Sequence, residues 1–140
     1  MKKYFACLLL LVLIFVTGCG KYTKPVVTVN EDLSHFSDLS LNSDQGQITY
    51  HCKLVIKNED SVRARFKVTG TFWEDYEAGV IVQKTAQGFV DGDSILTLDA
   101  EQEKEFSVDF TFNLCEDSDG TELKTDRRLP DISVTVLSEN

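Results

Sequence analysis

From Ile48 to Lys57 the side chains alternate in period two, with Ile48, Tyr50, Cys52, Leu54 and Ile56 set against Thr49, His51, Lys53, Val55 and Lys57. Successive residues of a strand point to opposite faces, so this stretch has one apolar side to bury and one side to leave wet. The same rhythm returns twice. Val62, Ala64, Phe66, Val68 and Phe72 stand against Arg63, Arg65, Lys67, Thr69 and Thr71, and Phe106, Val108, Phe110, Phe112 and Leu114 stand against Ser107, Asp109, Thr111 and Asn113. Asn58-Glu59-Asp60 separates the first two runs with turn-forming residues, which predicts a hairpin. Val27 with Val29, Val80 to Val82, Ile95 to Leu98, and Ile132 with Val134 and Val136 read as shorter strands. Gln87-Gly88 and Asp91-Gly92-Asp93 read as turns, and Asp32 to Leu41 as a loop or a single helical turn. About seven short strands in 115 residues predict an all-β antiparallel sandwich, with a small barrel as the alternative.

The N-terminus has a different character. Lys2 and Lys3 precede an uninterrupted apolar run of 13 residues, Tyr4 to Val16. A spanning helix needs about 20 apolar residues, so the run fits the core of a secretory signal instead. It ends in Val16-Thr17-Gly18-Cys19, which is similar to the lipobox of bacterial lipoproteins. The resemblance implies cleavage after Gly18, a diacylglycerol on the Cys19 sulfur, and a domain held at the extracytoplasmic face of a membrane. Residues 1–18 are then the signal peptide, 19–25 the lipidated cysteine and a short tether, and 26–140 the domain. Two or three acyl chains anchor a protein stably, at about 0.8 kcal/mol per buried CH₂. Loss of Lys2 and Lys3 from the 14 basic residues leaves 12 against 23 acids, a net charge of −11 over 122 residues. Such a chain is poorly suited to nucleic acid.

A second resemblance lies within the domain. Val55-Ile56-Lys57-Asn58, Phe66-Lys67-Val68, Phe72-Trp73-Glu74-Asp75, Gly79-Val80-Ile81, Leu98-Asp99-Ala100-Glu101 and Phe106-Ser107-Val108 together resemble the FxLYD and late-embryogenesis-abundant-like group of immunoglobulin-like bacterial domains. This implies an immunoglobulin-like sandwich and a non-catalytic binding module.

Few side chains offer chemistry. Cys52 and Cys115 would close a disulfide loop worth about 4 kcal/mol in the chain-entropy model. Cys52 falls on the apolar register and Cys115 on the polar one, so pairing needs a bulge, and two free thiols are the alternative. The predicted hairpin would put Lys53, Lys57, Arg63, Arg65 and Lys67 on one face. That face would meet an anionic partner, or pair with Glu105 and Asp109 of a strand lying beside Arg63, Arg65 and Lys67. Trp73, with Tyr76 and the acids Glu74, Asp75 and Glu77, either caps the core or anchors a partner. Glu116 to Glu122 is the densest acidic run. Cys115 and Asp126 stand where a calcium loop needs its first and twelfth ligands, so the run reads as a solvated loop. His35 and His51 make no metal spacing, and no nucleophile motif, phosphate loop or defensible Ser/His/Asp arrangement is present.

The expectation is a lipid-anchored binding or interaction module without cofactor, metal or enzymatic activity. Its partners would be the membrane and an envelope protein. An accessory subunit of an envelope complex, or an inhibitor or immunity lipoprotein, is the alternative. Cys19→Ala should abolish acylation and leave residues 1–18 uncleaved, measured by intact mass and membrane fractionation. Normal processing and membrane retention of that variant would refute the lipid anchor.

Overall fold

The computed structural model describes residues 23–118, 120, 123 and 126–138. The leader, the lipobox-like residues and Cys19 lie outside these residues, as do Asp119, Thr121 and Glu122 of the acidic run. The elements in chain order are β1 (Val27–Asn42), β2 (Gln47–Asn58), β3 (Ala64–Thr71), α1 (Trp73–Glu77), β4 (Thr85–Phe89), β5 (Leu96–Leu98), β6 (Glu103–Asn113) and β7 (Asp131–Val136).

The alternation in β2 is realised along its whole length, with every second residue from Ile48 to Asn58 buried. β2 pairs antiparallel with β6 through eleven unbroken partners, from Gln47 opposite Asn113 to Lys57 opposite Glu103. β1 covers the other edge of β2, and β4 joins the far edge of β6. β4 also pairs with the end of β3, whose remaining length is flanked by β5 on one side and β7 on the other. The described residues are all-β, seven antiparallel strands folded into two layers that share β4.

The layers meet through Tyr50, Phe110 and Phe112 of the first and Phe66, Val68 and Phe72 of the second, all buried. The Tyr50 and Phe72 rings lie 4.4 Å apart, with Phe112 edge-on to both at 5.6 and 5.0 Å. Such pairs contribute about 0.5–1.5 kcal/mol each beyond their buried area.

Four expectations are corrected. β2 and β3 do not form a hairpin; they lie in different layers, and residues 59–63 carry the chain across. Alternation states which face of a strand is buried but not which strand lies beside it. Asp32 to Leu41 belongs to the 16-residue β1. Register shifts between Asn30 and His35, and between Phe36 and Asp38, break its rhythm, which hides the strand from a period-two reading. Val80 to Val82 contributes only a single bridge, Ile81 to Leu114. Gln87-Gly88 is not a turn but the middle of β4. A Cβ on Gly88 would fall 2.6 Å from Val108 Cγ1 and 3.0 Å from the Phe110 ring, so glycine is there to let the core aromatic approach the backbone.

Asn58 closes the pole at which the chain enters. It is fully buried, donates to the Val62 and Asp99 carbonyls at 2.7 and 3.0 Å, and accepts from the Asp60 amide at 3.1 Å. Asn58→Ala removes all three bonds and takes this partner from the Val62 carbonyl and the Asp60 amide, while the Asp99 carbonyl keeps the Gln102 amide at 3.2 Å. At about 1 kcal/mol per lost bond plus the cost of burying orphans, it should destabilise by roughly 3 kcal/mol or more, read from urea unfolding at constant m-value.

Candidate functional site

The opposite pole carries a buried charge. Phe72 turns its ring into the core at the end of β3, and the short helix α1 follows. Its third residue, Asp75, points inward and is 5% exposed. The Tyr50 hydroxyl donates to Asp75 Oδ2 at 2.7 Å. Both terminal nitrogens of Arg127 donate to the same carboxylate in a bidentate pair, and the guanidinium lies 5.2 Å from the Tyr50 ring centroid. Burial, then the neighbouring Asp75 carboxylate, pushes the Tyr50 phenol well above its ordinary range, so it is a neutral donor at physiological pH.

This arrangement is self-compensating. A buried carboxylate is tolerated when its lone pairs are filled by charged and neutral donors together. The bond also fastens residues 127–131, which lead into β7, to the core. Between that segment and α1 opens a cleft of about 250 Å³, floored by Asp75 and Arg127 and walled by Phe36, Trp73, Leu129 and Pro130. Trp73 is 45% exposed at its rim, with Lys84 Nζ 4.1 Å from its ring centroid. Arg128, Glu74 and Asp131 add exposed charge of both signs. The cleft therefore suits recognition by an aromatic anchor with polar contacts around it. Among the described residues, no cluster of His, Cys, Asp and Glu is placed to hold a metal ion.

The residues expected from the sequence are distributed differently. The five basic side chains do not share a face, because β2 and β3 belong to separate layers. Lys53 pairs with Glu105 at 3.1 Å, Lys57 with Glu59 at 2.8 Å and Arg63 with Asp99 at 3.7 Å. Arg65 and Lys67 lie on the outer face of β3, opposite Thr97 and Thr135. It is β2, not β3, that runs beside Glu105 and Asp109.

Cys52 and Cys115 are free thiols. Cys52 stands opposite Val108, and Cys115 lies seven residues further along the chain, about 23 Å at strand spacing. A disulfide tolerates about 7 Å between Cα atoms, so the register separates them beyond the reach of any bulge. Burial, helped by the Asp109 charge, pushes the Cys52 thiol up to about 12. Of the expected binding residues, Trp73 lines the cleft together with its neighbours Glu74 and Asp75, and the five basic residues do not.

The sequence reading missed Arg127 and Tyr50 as partners of Asp75, which stand 52 and 25 residues away from it. It also missed a polar row on the outer face of the first layer. There Gln47 bonds Asn113, Thr49 bonds Thr111, His51 bonds Asp109 and Lys53 bonds Glu105, each pair set by the β2–β6 register. Comparison with family models, curated proteins and solved structures finds no match.

Removing one partner of the buried pair leaves the other charge uncompensated. Arg127→Ala should cost about 3–5 kcal/mol, and Asp75→Ala with Arg127→Ala together should cost less than the sum of the two singles. Chemical denaturation of the three variants checks this.

Proposed function

We propose that this protein is a lipid-anchored, extracytoplasmic binding module that offers its cleft to a partner at the pole facing away from its anchor. The observation that carries this reading is the placement of the cleft. The chain enters the domain beside Glu59 and Asp60, where the Glu59 amide donates to the Val26 carbonyl at 2.8 Å. The cleft lies toward the other end of β2, near Tyr50, eight residues from Asn58 and about 26 Å along the strand.

A lipid on Cys19 would hold the Asn58 pole close to the membrane. Residues 20–25 reach about 20 Å when extended, which leaves the cleft directed outward. Trp73 supplies the anchor type that dominates protein interfaces, and the mixed charges of Glu74, Arg128 and Asp131 supply specificity at the rim. The acidic surface keeps a tethered domain soluble and away from anionic headgroups. The FxLYD-like resemblance is part of the same reading and points to binding.

The test is chemical cross-linking in intact membranes, followed by detergent solubilisation and recovery of the full-length protein. Wild type should bring down a stoichiometric envelope partner, and Trp73→Ala with Arg128→Glu should lose it while keeping its unfolding midpoint. A membrane-embedded partner would make the protein an accessory subunit. Equal recovery by the variant would overturn the cleft as the binding site.

A further inference from the structure

Three adjacent strands of the first layer bring Ser40, His51 and Asp109 together on its outer face. The Ser40 hydroxyl meets His51 Nε2 at 3.0 Å, and His51 Nδ1 meets Asp109 Oδ1 at 2.7 Å. A carboxylate can only accept, so Asp109 holds the ring proton on Nδ1 and leaves Nε2 to accept from Ser40. We infer that Ser40 is a nucleophile and that this face carries out acyl transfer from small aryl esters, with His51 as general base and Asp109 as a positioning residue. This activity is separate from the binding cleft and rests on no part of that reading.

The surroundings fit the chemistry. Asp38 stands opposite His51 on β1, as Asp109 does on β6, so the imidazole lies on a face with an acidic residue on each neighbouring strand. Thr49 stands opposite Ser40 and adds its hydroxyl, 2.9 Å from Thr111 Oγ1, to the same face. Phe89 is the partner of Asp109 on β4 and is 41% exposed, which sets an aromatic surface about 10 Å from the His51 backbone, two strand spacings away. The His51 side chain is 36% exposed, so water reaches the site for deacylation.

Ser40 Oγ attacks the ester carbonyl carbon while its proton passes to His51 Nε2. Collapse of the tetrahedral adduct breaks the bond to the aryl oxygen, which leaves with the proton from His51. Water then attacks acyl-Ser40, gives its proton to His51, and the acid departs as Ser40 recovers that proton. One ester and one water become one acid and one phenol. Because the face is open, substrate is held weakly and KM is high.

The experiment uses the full-length protein in detergent with p-nitrophenyl acetate. The expected result is p-nitrophenol release, with an acetyl group mapped to Ser40 after an acid quench. Ser40→Ala should remove the acyl-enzyme route and the mapped acetyl group, and His51→Ala should lower the rate about 10²-fold, the lower range for general base catalysis. Asp109→Asn should lower kcat with KM unchanged, and Asp109→Glu should restore part of it. All of these side chains lie on the polar face, so the unfolding midpoint should stay near wild type in each variant. A wild-type rate in Ser40→Ala would mean that the His51 imidazole alone consumes the ester, and would overturn the assignment. Absence of acetyl from Ser40 in the wild type would overturn it equally.

Discussion

The register between β2 and β6 is the constraint on which the rest depends. Its eleven partners run without a slip. A shift by one residue would turn every core side chain of one strand to water, so the buried set of Ile48, Tyr50, Leu54, Val108, Phe110 and Phe112 holds the alignment in place. Everything on the outer face is a consequence. His51 meets Asp109 and Lys53 meets Glu105 because their inward neighbours have already chosen who stands opposite whom. The same alignment puts Cys52 and Cys115 out of reach of each other.

Each pole is closed by a buried polar group, and the two differ in kind. Asn58 is neutral and bonds only to backbone, so it ties loops together and leaves no charge behind. Asp75 is ionic and recruits a side chain from far along the chain, Arg127, which draws residues 127–131 across the end of the core. The first arrangement makes a sealed end where the chain enters. The second makes an end with a cleft, because a segment held by one ion pair leaves space between its contact points.

The inward faces of β2, β3 and β6 were legible from alternation alone, and so was the all-β class. β1 and β4 were not. Bulges erase the rhythm of β1, and Gly88 resembles a turn residue until the Phe110 ring that requires it is in place. Trp73 was legible as an exposed aromatic candidate, whereas the floor beneath it was not. Ser40 and His51 are 11 residues apart and His51 and Asp109 are 58 apart, spacings that carry no signal until strands align them.

Sequence by itself determined which side of each regular strand must avoid water, because burial of apolar area follows the two-residue period of an extended chain. It also set the contrast between an apolar, basic-led N-terminus and an acidic domain. Only the tertiary structure decided which strands are neighbours, since alternation is identical whether a strand pairs with the next one or crosses to another layer. That choice dispersed the five basic residues, built the Asp75–Tyr50–Arg127 cluster and lined up Ser40, His51 and Asp109. Sites of this kind arise where distant residues share a register, and register is a property of the whole packed core.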